Sequence, residues 1–175
     1  MANTDDIEYW KKLASEIDQI RPDLQRLGFK RDNILNLHTE YPDYSAAIDM
    51  IFSHLQKPYL DKILETLGRL LAHPSAFRLW RDLLQMYVQA DKDASPGLMT
   101  GLAVALSEQE ITSKSSELRQ EIIKLLRDRS RGKTRLFFLY CFRRKRDEVS
   151  IRLIDELSTD PDLKIEIASW KRKSR

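Results

Sequence analysis

Apolar residues recur along this chain in blocks spaced three and four apart, and two neighbouring blocks share one template. Residues 64–71 read LETLGRLL and residues 99–106 read MTGLAVAL. At an offset of 35 residues they match at Leu64/Met99, Leu67/Leu102, Gly68/Ala103 and Leu71/Leu106. A looser third copy, RLFFLYCF at 135–142, ends 36 residues further on. Apolar positions at i, i+3 and i+7 form one buried face of a helix. Repetition at this period marks stacked helical pairs, because one pair cannot bury its own apolar face.

The remaining pattern fills in around these blocks. Ile7, Trp10, Leu13, Ala14 and Ile17 predict an amphipathic helix over 5–20 that Pro22 interrupts, with Gly28 closing a short second turn. Together with Ile34, Leu35 and Leu37 this makes residues 1–40 an N-terminal helical cap, followed by a Tyr-Pro-Asp-Tyr turn at 41–44. A first pair is expected over 45–72, its second helix opening after Pro58. A second pair, 75–107, starts with Phe77, Trp80, Leu83 and Leu84 and continues after Ser95-Pro96, read as an N-cap and a first-turn proline. Its second helix, 96–107, has no charged residue, which places it in the middle of the stack. Gly97 and Gly101 lie one turn apart on that helix. Glycine in a helix interior is costly, so a close backbone approach to an adjacent helix is expected there, the alternative being a shallow groove floor left smooth for a partner's chain. Third and fourth pairs follow over 114–142 and 147–171, ending in a frayed KRKSR tail. The fold class is therefore all-α, a right-handed α-solenoid of about four helical pairs with its cap, forming one domain over 1–175.

Composition narrows the function more than the fold. With 5 glycines and 6 prolines, the chain has too few turn residues for a many-stranded barrel. A single cysteine, Cys141, allows no internal disulfide and makes a reducing cytoplasm the expected compartment. No secretory leader and no membrane-spanning run is read, and a monomer is expected. The net charge of +3 hides an asymmetry: 12 Lys+Arg against 17 Asp+Glu in 1–112, but 18 against 10 in 113–175, or −5 and +8.

The stretch YPDYSAAIDMIFSHLQKPYLDKILETLGRLLAHPSA (41–76) resembles bacterial HEAT-repeat proteins. One helix ends in a His-Leu-basic-Pro-Tyr-like turn at 54–59 and the next in a small-Arg-x-Leu-Ala-like run at 68–72. Residues 130–170 resemble the last two repeats of such proteins. The Asp/Arg ladder of the broader HEAT pattern is reduced here to Asp61 and Arg69. The resemblance implies a binding scaffold with the second helix of each pair lining a concave surface, serving as an adaptor or as an inhibitor of a toxin or enzyme. Some HEAT-like folds, an alkylpurine DNA glycosylase family among them, grip nucleic acid in a basic groove. No position here matches that family's catalytic aspartate.

No phosphate-binding, nucleophile-elbow or zinc-protease motif occurs. His38, His54 and His73 lack metal spacing and are read as isolated surface or loop histidines. Trp10, Trp80 and Trp170 fall on apolar stripes and are read as core or cap packing residues, with stacking on a ligand base or ring as the lesser reading. Cys141 lies in an apolar face and is read as a structural thiol. No enzyme site, no cofactor and no metal is therefore expected. The candidate binding residues are the basic run Arg127, Arg129, Arg131, Lys133, Arg135, Arg143, Arg144, Lys145 and Arg146, with one acid, Asp128, among them. Three readings stand for this run: solvated charge, an acidic protein partner, or nucleic acid. The preferred function is a protein-binding scaffold, and nucleic-acid binding is the alternative.

Overall fold

The computed structural model describes residues 4–30, 33–91, 93–143, 145 and 147–173. Helix accounts for 78% of the described residues, which contain no strand. Among the described residues ten α-helices follow one another: α1 (Thr4–Arg26), α2 (Leu37–Glu40), α3 (Ile48–Leu55), α4 (Asp61–Leu70), α5 (Trp80–Gln89), α6 (Pro96–Ser113), α7 (Ser116–Arg127), α8 (Arg135–Tyr140), α9 (Glu148–Leu157) and α10 (Lys164–Lys173). Short 3₁₀ turns lead into α2, α3, α5 and α8.

Each helix forms where its apolar residues face a neighbour. α3 packs on α4, α5 on α6, α7 on α8 and α9 on α10, while α4, α6 and α8 pack on one another in series. The joint between α4 and α6 is the most extensive, and its cause is glycine. A Cβ on Gly68 would meet the backbone of Gly101 at 2.8 Å, and one on Gly101 would meet the Glu65 carbonyl oxygen at 2.6 Å. The close approach expected at Gly101 is thus present, with Gly68 as its counterpart. α6 buries Met99, Leu102, Ala103, Ala105 and Leu106 among its neighbours, which accounts for its missing charges.

Several local expectations are corrected. α1 runs through Pro22 instead of stopping there. Ile20 and Leu24, fully buried on either side, hold that turn to the body. Pro22 itself is exposed, so the carbonyl its ring leaves without a donor faces water. The helix ends instead at Gly28, at φ +89°. There the Phe29 amide donates to the Leu24 carbonyl and the Gly28 amide to Gln25, a Schellman closure. α6 continues to Ser113, six residues beyond its expected end, and closes on left-handed Lys114. Ser95 does not cap it through its side chain. The cap comes from α4: Asp61 accepts from the amides of Gly97 at 2.6 Å and Leu98 at 2.9 Å. A carboxylate at a helix N-terminus also complements the helix dipole. α10 carries into the tail as far as Lys173.

Candidate interaction surface

The basic run divides on folding. Arg135 is fully buried, and its guanidinium forks onto Asp160 at 3.0 and 2.8 Å and onto Asp162 at 2.9 Å. It also donates to the carbonyls of Leu126 and Gly132. A buried cation is tolerable only when so fully paired, and a partner has no access to it. In the repeat template Arg135 takes the register of Leu64 and Met99, both buried, and that register is the signal marking it as interior. Asp160 in turn has its carboxyl held below the usual range by the Arg135 hydrogen bonds.

Four more cations of the run bond carboxylates of this chain. Arg127 grips Glu156 with bonds of 2.7–3.2 Å, and the same bonds lower the Glu156 pKa. Arg129 reaches Asp160 at 3.3 Å. Arg131 pairs with Asp128 and donates to the Tyr87 and Val88 carbonyls, closing the end of α5. Lys145 pairs with Glu110, which is 1% exposed. Arg144 and Arg146 lie outside the described residues.

Lys133 and Arg143 face a different environment. Lys133 lines a groove of about 400 Å³ with Thr100, Thr134, Leu136, Phe137 and Tyr140. α6 packs between α4 and α8, and its half-buried edge here is Gly97, Thr100 and Val104. Of these, Thr100 lines the groove and makes its floor. Arg69 of α4 reaches over it to lie 5.8 Å from the Phe137 ring centre. Arg143 lies 6.0 Å from the Tyr140 ring and 5.8 Å from Trp170. Glu166 accepts from both the Tyr140 hydroxyl and the Trp170 indole, which fixes the two rings. The wall is therefore aromatic, partly exposed and edged with cations, a surface suited to amphipathic side chains. Sequence periodicity singles out the aromatic residues of this wall only as packing positions; the signal that finds the groove is the run of small residues on α6.

The other polar clusters serve the fold. A second cleft, of about 440 Å³, is lined by Glu110, Lys114, Arg119, Lys145 and Asp147. Four of its charges are matched internally, through Lys145–Glu110 and Arg119–Asp147. His54 is 1% exposed, a correction to its reading as a surface or loop residue. Its Nε2 sits 2.9 Å from Asp23 and its Nδ1 2.8 Å from the Tyr59 hydroxyl, pinning α1 to the turn after α3. Glu16 adds to that joint by accepting from the Leu60 amide at 2.7 Å. Burial pushes the Cys141 thiol up to about 12, which keeps it protonated and unreactive at neutral pH. Among the described residues no group of three or more His, Cys, Asp or Glu is arranged to hold a metal. No described helix is long and apolar enough to cross a membrane. No family model, no curated protein and no solved structure matches this chain.

Proposed function

We propose that the chain is a short HEAT-like α-solenoid acting as a non-enzymatic protein-binding scaffold, and that the groove floored by α6 is its binding surface. The solenoid reading rests on the spacing of the contacts. Asp61 caps Gly97 at a separation of 36, Arg81 pairs with Glu117 at 36, Lys145 with Glu110 at 35, and Gln109 donates to the Leu71 carbonyl at 38. The first three separations match one period of the repeat and the fourth exceeds it by two residues, as expected of a stack of like units.

The observation that carries the functional reading is the groove itself: Thr100 of α6 at its floor, an aromatic wall of Phe137 and Tyr140, and a cationic edge of Arg69, Lys133 and Arg143. Aromatic and arginine side chains around a recess are the residues that dominate protein–protein binding energy. Protein is favoured over nucleic acid because five cations of the basic run bond carboxylates of this chain, so they are not set out to follow a phosphate backbone.

The test compares capture from a native lysate by the wild-type chain and by a Lys133→Glu, Phe137→Ala variant, beside titration of labelled duplex DNA across salt. The reading expects a protein that the variant loses, and weak DNA binding. DNA affinity that falls with log–log slope near 0.9 per phosphate contact, with no protein retained, would overturn it in favour of nucleic acid.

A further inference from the structure

The N-terminal half of α1 carries a surface that the groove does not use. Every side chain from Asp5 to Lys12 is exposed, and Leu13 is the first that is buried. The face of α1 turned into the body runs through Leu13, Glu16, Ile20 and Leu24. Beside it lies a second stripe, Ile7, Trp10, Ala14 and Ile17, at steps of three and four. Trp10 is 63% exposed and Ile7 45%. An exposed tryptophan on a regular helix face has the character of an interface anchor.

We propose that this stripe is a homodimer interface in which α1 of a second copy packs antiparallel across Ala14. The occupant follows from the charges beside the stripe. Lys11 and Asp18, seven residues apart, lie along the same flank, each four residues after a stripe position. Both are exposed, and Asp18 also bonds Arg21 of its own helix at 2.7 Å. In an antiparallel pair the same flank of each helix meets the other. A two-fold axis beside Ala14 sets Lys11 of one copy against Asp18 of the second, and the symmetry makes that pair twice. Ala14, small and exposed, sits where the two backbones come closest, and Trp10 of each copy covers the stripe of the other. A contact of this kind is self-complementary and closes at two copies. It replaces the monomer expected from the sequence and is independent of the groove.

The test is sedimentation of the full chain across the micromolar range, with far-UV circular dichroism to follow folding. Wild type is expected at twice its 20.6 kDa mass at the upper end of that range. Trp10→Ala should raise the dissociation constant at least about tenfold with unchanged helicity. Lys11→Asp and Asp18→Lys should each weaken the dimer, and the double variant should recover it. Recovery reads the intermolecular pair, because the double variant does not restore the bond from residue 18 to Arg21. A wild-type monomer throughout the range, a Trp10→Ala dimer as tight as wild type, or a double variant no tighter than the singles would overturn the proposal.

Discussion

The outer helices and the α6 groove handle positive charge in opposite ways. Along α3, α5, α7 and α9, arginines reach across to carboxylates of the next helix. Arg78 meets Asp49, Arg81 meets Glu117, Arg119 meets Asp147 and Arg127 meets Glu156. In the groove, Arg69 pairs with Glu65 of its own helix and lies over Phe137, while Arg143 lies over Tyr140 and Trp170. The outer cations tie one helix to another, and the inner ones edge an aromatic surface that remains partly open. A run of basic residues in a sequence is therefore poor evidence of a binding site until the partner of each charge is known.

The sharpest way to break this contrast is at Arg135, the one cation of the run, among the described residues, taken wholly inside. Arg135→Ala leaves Asp160 without its main partner and should destabilise the fold by about 3–5 kcal/mol, read by denaturant unfolding. The pH dependence follows from the same pair. Asp160, through Arg135, and Asp147, through Arg119 and Ser150, have folded-state pKa values below the ordinary carboxylate value. Their stabilisation is fully present above about pH 4 and is lost as pH falls through those lower folded values. Stability of the Arg135→Ala chain should accordingly fall less steeply with acid than that of wild type.

Next in size is the joint that sets the groove floor. A Cβ at Gly101 meets backbone rather than a movable side chain, so even Gly101→Ala should cost about 1–3 kcal/mol and lower Tm. An unchanged Tm would show that α4 and α6 are not in close contact. Removing the cap that joins the same two helices, Asp61→Ala, should cost about 0.5–2 kcal/mol in thermal unfolding. On the outer rim, Arg127→Ala removes an exposed pair worth at most about 1 kcal/mol. Smallest should be the effect of Lys133→Glu on stability, within about 0.5 kcal/mol, although the same change is expected to lose the partner.

The helices were legible because their signal is local and repeated: the 35-residue template contains α4 and α6, and the uncharged helix proved to be buried. What escaped the sequence was long-range. Asp61 caps a helix that begins 35 residues later, while Ser95, next to that helix, does not. His54 reads as an isolated histidine until α1 brings Asp23 to it. Pro22 breaks a helix in isolation, but not one held by Ile20 and Leu24. The groove was the least legible feature, since its lining comes from α6, α8 and the 3₁₀ turn before α8, and its aromatic residues share the spacing of core residues.

The central claim, that the partner lies in the α6 groove, is tested most directly by placing a photo-crosslinking residue at Thr100 in one chain and at Gln85, exposed on α5, in another. The account predicts a protein adduct from position 100 that disappears with Lys133→Glu, and none from position 85. An equal or stronger adduct at position 85, or a nucleic-acid adduct at position 100, would contradict it.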